Sequence, residues 1–168
     1  MRHIDYLVRC LSNPRLDRVL RARTRLVSMG HPAVDALIAA ADSSLTEVRV
    51  EIAIALGYIR DKKGYDALVK LTYDPADFVR YEAAWALGNM ADERAKTRLA
   101  EMAEGSDPSS ASAASALEVF TSKSESEVDI VDDEPSKAHK VRLIVSEKAF
   151  RDRLAARNRR RSFRKNRH

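Results

Sequence analysis

The stretch that decides the fold is VRVEIAIALGYIRDKKGYDALVKLTYDPADFVRYEAAWALGNM, from Val48 to Met90. Its opening residues return after 31 positions. Val48-Arg49 returns as Val79-Arg80, and Ala55-Leu56-Gly57 returns as Ala86-Leu87-Gly88. A period of this length is typical of a solenoid, in which each unit buries its apolar face only against its neighbours. The stretch therefore predicts a stack of similar units.

The units are predicted to be helical, because apolar residues recur every three or four positions throughout residues 1–121. Thr46 is placed to cap the helix that carries Val48 and Ile52. Short segments that contain Pro, Gly or Asp separate the helices. These turns fall at Asn13-Pro14, Gly30-His31-Pro32, Asp61–Gly64, Asp74-Pro75 and Gly105–Pro108.

The composition favours a helical protein that uses neither a metal nor a disulfide. Only 6% of the 168 residues are aromatic and 33% are charged, so the core must be aliphatic. The single Cys10 has no intramolecular partner, and no spacing of Cys and His matches a metal site. We therefore expect no cofactor, no metal and a reducing, cytoplasmic location. The N-terminus lacks a signal-peptide pattern, and no apolar run is long enough to predict membrane insertion.

Charge divides the chain into three sections. Residues 1–121 hold 16 Lys or Arg and 17 Asp or Glu, a net charge of −1. Residues 122–136 hold one basic and six acidic residues, a net charge of −5. Residues 137–168 hold 13 basic and two acidic residues, a net charge of +11. We predict a repeat solenoid, an acidic flexible linker and a basic, partly helical tail.

The basic tail is a candidate segment for binding polyanions. Arginines can pair with phosphate through two hydrogen bonds, and neutralising phosphates releases counterions. RNA or DNA is one candidate partner; an acidic protein, an anionic membrane surface and a merely solvated chain end are the alternatives. Arg18, Arg21 and Arg25, which share a helix face, would extend this surface. The predicted polyanion-binding residues are Arg157, Arg159, Arg160, Arg161, Arg164, Lys165 and Arg167.

The segments VRVEIAIALGYIRD and VRYEAAWALGNMAD resemble the first helix and turn of HEAT repeats, in particular the short type of phycobilisome-lyase-like proteins. DALVKLTYDP resembles the second helix, and the resemblance covers about residues 15–121. It implies an all-α, right-handed α-solenoid of about three to four helix pairs, and the basic tail lies outside the resemblance. It also implies a ladder of charged residues between units. The ladder would comprise Arg49, Arg80, Asp61, Asp74 and Asp92.

Some HEAT proteins are enzymes, and two kinds are relevant. Deoxyhypusine hydroxylase is a di-iron HEAT enzyme that uses repeated His-Glu pairs as ligands. None of the four histidines of this chain is followed by Glu, which argues against a di-iron site. A bilin-lyase component is the second kind, but only two units match that pattern closely. Cys10 is better explained as a core thiol than as a nucleophile, and His31 as a residue at a helix start.

One apolar stripe departs from the family pattern. The positions two and six residues after the Val of each repeat are usually polar and exposed. Here they are Val50 and Ile54 in one unit and Tyr81 and Trp85 in the next. Each pair is spaced i, i+4 and therefore shares a helix face. We predict that these four residues, called the stripe below, bind a protein, because Tyr and Trp are typical interface anchors. Cover by neighbouring helices or by the tail is the alternative.

These features lead to the expectation of a non-enzymatic scaffold that is monomeric and cytoplasmic. Its HEAT array would bind an unidentified protein partner, and its basic arm would bind nucleic acid or another polyanion. An enzyme subunit resembling a bilin-lyase component, or an assembly chaperone, is the alternative. No catalytic residue is predicted.

Overall fold

The computed structural model describes the backbone of residues 2–122 and the side chains of residues 3–120. This part of the chain is helical and contains no strand. A 3-10 turn, Lys62–Gly64, precedes the fifth helix. The described helices are α1 (Arg2–Cys10), α2 (Leu16–Met29), α3 (His31–Ala39), α4 (Thr46–Ile59), α5 (Tyr65–Leu71), α6 (Asp77–Met90), α7 (Ala95–Ala103) and α8 (Pro108–Ser122).

The helices form two layers. The first helices of successive units pack side by side: α2 on α4, α4 on α6 and α6 on α8. The second helices, α3, α5 and α7, pack against the first helices, and α1 packs against α2 and α3. One mostly aliphatic core runs through both layers. The predicted all-α solenoid of HEAT-like helix pairs is therefore confirmed.

The predicted acidic linker, 122–136, and basic tail, 137–168, lie beyond the described side chains. Their boundaries therefore stay predictions, and so does the role of the seven polyanion-binding residues. Among the described helices, none combines the length and the apolar character needed to cross a bilayer.

Three first helices share one register, which lets equivalent residues be compared. Each of α2, α4 and α6 runs for 14 residues between an extended N-cap and a C-cap with positive φ. Thr46 is the first residue of α4 rather than its cap, so the predicted capping by Thr46 is wrong. The cap pairs are Arg15 and Gly30 in α2, Leu45 and Arg60 in α4, and Ala76 and Ala91 in α6.

The Ala-Leu-Gly motif brings neighbouring first helices into backbone contact. A β-carbon on Gly57 would lie 2.7 Å from the β-carbon of Ala86, and one on Gly88 would lie 2.6 Å from that of Ala116. Real β-carbons do not approach so closely, so these two positions accept only glycine without a shift of the helices. The leucines of the motif are buried in the core. The motif thus fixes the spacing of α4, α6 and α8.

A ladder of charged hydrogen bonds also joins successive units. Nε and Nη2 of Arg49 donate to the two carboxylate oxygens of Asp74 at 2.6 and 2.9 Å. One unit later, Nη2 of Arg80 donates to the Asp107 carboxylate at 2.7 Å, and its Nη1 donates to the Asp74 carbonyl at 2.8 Å. The arginines of the two Val-Arg pairs therefore act as the resemblance implied, but one of their acids, Asp107, was not predicted.

The other two predicted acids take no part in the arginine ladder. Asp61 accepts a hydrogen bond from the Lys63 amide at 2.9 Å and lies against the ring of His31 in the preceding unit. Asp92 accepts a hydrogen bond from Nη2 of Arg94 at 2.8 Å, and this side-chain hydrogen bond lowers the pKa of Asp92 to about 2. The predicted role is therefore wrong for Asp92 and holds only in part for Asp61, because both carboxylates stabilise the turn after a first helix.

The ladder also shifts the pKa values of its carboxyls. Hydrogen bonds from the Ser109 hydroxyl and the Arg80 guanidinium lower the pKa of Asp107 to about 2. Burial by itself would raise the pKa of Asp74, but the hydrogen bond from Arg49 and a backbone hydrogen bond together hold it below its ordinary value. Both carboxyls are therefore ionised at neutral pH, which the ladder requires.

Candidate functional site

The stripe lies on α4 and α6, and the structure covers it more than the sequence predicted. Ile54 is 4% exposed, so its predicted outward exposure is wrong. The reason is that α4 is the central first helix and is buried continuously from Glu51 to Gly57. Val50, Tyr81 and Trp85 are half-buried. The exposed part of the stripe thus comprises three residues, and their role in protein binding stays a prediction.

Trp85 is fixed by its neighbours on α4. Its ring lies with its centroid 5.2 Å from that of Tyr58, with the ring planes at 60°. Its Cζ3 atom would lie 3.0 Å from a β-carbon on Gly57. An aromatic pair of this kind contributes about 0.5–1.5 kcal/mol beyond its burial. The glycine of the repeat motif therefore makes room for the indole as well as for the neighbouring helix.

Two glutamates beside the stripe were overlooked in the sequence. Glu51 and Glu82 are 2% and 7% exposed, and each follows its N-cap residue, Leu45 or Ala76, by the same number of positions. A carboxylate held away from water is costly unless it is paired. The 31-residue period could have revealed them, since both stand in otherwise apolar runs at equivalent positions.

The charge of Glu51 is balanced by Arg23 of α2. Nη1 of Arg23 donates to Oε2 of Glu51 at 2.9 Å, and the two side chains are only 7% and 3% exposed. This buried ion pair joins the first helices of two successive units. Arg18, Arg21 and Arg25, the three arginines predicted to share a face of α2, are exposed.

The described residues do not assemble a metal centre. Within this part of the chain, no group of three or more His, Cys, Asp or Glu side chains could hold a metal ion. The His31 side chain is 75% exposed and lies against Asp61, and α3 begins at His31 as predicted. Cys10 is half-buried and packs against the apolar core, which suits a structural thiol.

Residues 34–118, about half of the chain, match the family of HEAT repeats. The chain belongs to the HEAT-repeat family. The shared register of the first helices, the Ala-Leu-Gly contacts and the arginine ladder are therefore features of a HEAT array, not of a single binding site. The match does not distinguish the short, phycobilisome-lyase-like type from other HEAT repeats.

Two further comparisons connect this HEAT array with one enzyme. Deoxyhypusine hydroxylase-B of Oryza sativa subsp. japonica is 38% identical over 81 residues, which are 47% of this chain and 27% of that protein. The structure of human deoxyhypusine hydroxylase in complex with glycerol matches with a TM-score of 0.63 at 24% identity, over 81% of this chain and 52% of that chain. The structural likeness shows the shared fold. The chain spans about a quarter of the rice protein and about half of the human one.

The similarity to deoxyhypusine hydroxylase-B contradicts the prediction of a non-enzymatic scaffold and the assignment of the chain as not an enzyme. The curated relative is an enzyme. The prediction failed because the chain lacks His-Glu pairs, whereas its similarity to the relative lies in repeats whose residues specify helix stacking. The enzyme alternative fits the relatives better, although they are hydroxylases and not bilin lyases.

The described part of the HEAT array does not fit the di-iron chemistry of a hydroxylase with His-Glu ligand pairs. Its two buried glutamates follow Val50 and Tyr81, not His. Val50 offers no donor atom, and the Arg23 guanidinium already lies against Glu51. A metal ion bound to the same carboxylate would stand close to this like charge. We therefore assign no metal ligand among the described residues.

Proposed function

We propose that this chain is the substrate-binding component of an enzyme of the deoxyhypusine hydroxylase type, and that the metal centre of that enzyme lies outside the described residues. The observation that carries the proposal is the 38% identity to deoxyhypusine hydroxylase-B over 81 residues. The described residues contain no group of His, Cys, Asp or Glu side chains that could hold a metal ion, so we assign this part of the chain to substrate binding and not to metal binding. A substrate-binding component satisfies both observations.

The proposed contact surface is the face of α4 and α6 that carries Val50, Tyr81 and Trp85. Val50 and Tyr81 directly precede the buried glutamates, which is where the histidine of a His-Glu pair would stand. Aromatic rings attract cationic amines, and deoxyhypusine is an amine. Trp85 is held in place by Tyr58, so its ring is preorganised for such a contact.

The test is a binding measurement on the full 168-residue chain. Calorimetry compares a peptide that contains deoxyhypusine with the same peptide carrying the uncharged residue norleucine at that position. We expect saturable binding of the first peptide and weaker binding of the second. Trp85→Ala should weaken binding of the first peptide roughly tenfold, the effect of a partly desolvated cation–π contact. Tyr73→Ala is the control, since Tyr73 is 65% exposed and follows a second helix.

Three results would contradict this proposal. Equal binding of the two peptides, or binding of neither, would remove the substrate assignment. The same chain is also incubated with ferrous iron, oxygen and the deoxyhypusine peptide, and the peptide mass is measured. A gain of one oxygen atom would show that the chain is a complete hydroxylase and not a component of one.

The sequence pattern supports two finer proposals. The Val-Arg and Ala-Leu-Gly motifs favour the short, phycobilisome-lyase-like repeat type, and the corresponding activity is bilin transfer to a cysteine of a phycobiliprotein. An acceptor that stays uncoloured after incubation with the chain and free bilin would remove this activity.

The lone Cys10 supports a reducing, cytoplasmic location.

A further inference from the structure

The buried Arg23 is not a general requirement of these repeats. Among the described residues it is the one Lys or Arg that is buried. It follows its N-cap residue by eight positions, and the residues at the same position in α4 and α6 are Ala53 and Ala84. Both alanines are 0% exposed. The small alanine side chain therefore fills this position in α4 and α6. In α2 a buried guanidinium takes its place, at the contact between α2 and α4.

The partner of Arg23 is equally constrained. Glu51 is 2% exposed, and its Oε2 accepts from Nη1 of Arg23 at 2.9 Å. Two opposite charges in a buried site stabilise each other, and removing either one leaves the other buried without that attraction. A guanidinium keeps its charge across the whole range in which proteins fold. Glu51 thus has a permanent counterion supplied by the chain itself.

We propose that Arg23 is the built-in counterion of Glu51 and that it keeps divalent metal ions away from this carboxylate. The inference rests on the proposed function in one respect, because a metal-dependent hydroxylase is the point of comparison. A ferrous ion that bound Glu51 would either displace the guanidinium from Oε2 or stand close to its positive charge, and both are unfavourable in a buried site. The array is therefore independent of metal at the contact between α2 and α4.

The first measurement is the melting temperature of the full chain and three variants. Arg23→Met should lower it by roughly 10–25 °C, because Glu51 would stay buried after losing its attraction to the guanidinium. The double variant Arg23→Met/Glu51→Leu should recover most or all of this loss, because an apolar pair replaces the ion pair. Arg25→Met, an exposed arginine of the same helix, is the control and should leave the melting temperature almost unchanged. Equal losses in the single and double variants would overturn the proposed coupling.

The second measurement is the iron content of the natural chain and the double variant after anaerobic dialysis against ferrous iron. We expect the two proteins to retain the same amount of iron. We also expect that iron does not raise the melting temperature of either protein, because a ligand stabilises a protein only where it binds the folded state. Iron retained by the natural chain and lost from the double variant would overturn the proposal. Peptide binding is measured on the same sample. Iron at Glu51 would refute this inference and the placement of the metal centre outside the described residues, whereas absent peptide binding would refute the substrate assignment alone.

Discussion

Gly57 of α4 and Ala86 of α6 are in backbone contact. A β-carbon on Gly57 would lie 2.7 Å from the Ala86 β-carbon and 2.8 Å from its α-carbon. The α-carbon cannot rotate away, so a side chain at position 57 would have to push the two helices apart. The same relationship recurs between Gly88 and Ala116, one unit later. The repeat motif therefore fixes the distance between neighbouring first helices.

We predict that Gly57→Ala destabilises the protein, although Ala is the better helix former. The overpacking should lower the free energy of unfolding by about 1–3 kcal/mol. Urea denaturation of the full chain measures the change. Thr97→Ala, at an exposed position of α7, is the control and should stay within about 0.5 kcal/mol of the natural chain. An unchanged midpoint for Gly57→Ala would show that α4 and α6 are farther apart than described.

The arginine ladder should respond to the shape of the cation and not only to its charge. Arg49 meets Asp74 through two hydrogen bonds, and their side chains are 13% and 6% exposed. We predict that Arg49→Lys lowers the free energy of unfolding by about 1–2 kcal/mol, because an ammonium cannot form the paired contact. Denaturation in urea measures this loss.

An exposed ion pair provides the comparison for the ladder. Nζ of Lys70 lies 2.7 Å from Asp42, and the side chains are 67% and 72% exposed. Lys70→Ala should change the stability by less than about 1 kcal/mol, since water and salt screen such pairs. If the Lys70 and Arg49 substitutions cost the same, the ladder contributes no more than a surface contact.

The sequence predicts this fold well because the same packing contacts must be made in every unit. The glycine and the arginine of each repeat have fixed neighbours, so their spacing is visible as a period. Asp107 escaped prediction because Asp107-Pro108 follows Asp74-Pro75 by 33 positions, and this longer interval hides the correspondence.

The candidate site is less predictable than the fold. The spacing of apolar residues along α4 cannot reveal that Ile54 is only 4% exposed once the helices stack. The partner of Glu51, Arg23, lies on a helix whose repeat motif has diverged, so no period connects the two. Function is harder still, because the residues that specify stacking are shared by enzymes and by proteins without activity.

Acid should weaken the ladder. The pKa of Asp107 is about 2 in the folded protein, below its ordinary value of 3.8. The folded state therefore binds fewer protons than the unfolded state between these values, so the stabilisation is present above about pH 4 and is lost as the pH falls towards 2. We predict that Asp107→Asn lowers the melting temperature at pH 6 and reduces its dependence on pH below 4.

Melting curves between pH 2 and pH 6 test this prediction. Thr97→Ala supplies the control, because it is exposed and removes no titratable group, so it should leave the acid dependence unchanged. Identical slopes for the natural chain and Asp107→Asn would show that Arg80 does not stabilise the ionised form of Asp107. The slope that persists in Asp107→Asn is expected from Asp74 and Asp92, whose pKa values are also lowered.

The ends of two first helices offer a way to stabilise the array. Ala91, the C-cap of α6, has a φ of 53°, and Arg60, the C-cap of α4, has a φ of 56°. The left-handed conformation costs a residue with a β-carbon about 1–2 kcal/mol, whereas glycine adopts it freely. We predict that Ala91→Gly raises the free energy of unfolding by about 0.5–1 kcal/mol, because glycine also loses more entropy on folding. Urea denaturation measures the gain.

Two further variants serve as controls, one for the backbone conformation and one for the side chain. Ala100→Gly, at an exposed position within α7, should lower the stability by about 1 kcal/mol, because its backbone is right-handed. Arg60→Gly should gain less than Ala91→Gly, since it also removes the hydrogen bond from Nη2 of Arg60 to Oδ1 of Asn89 at 2.7 Å. A loss in all three variants would show that the positive φ at position 91 carries no cost that glycine can relieve.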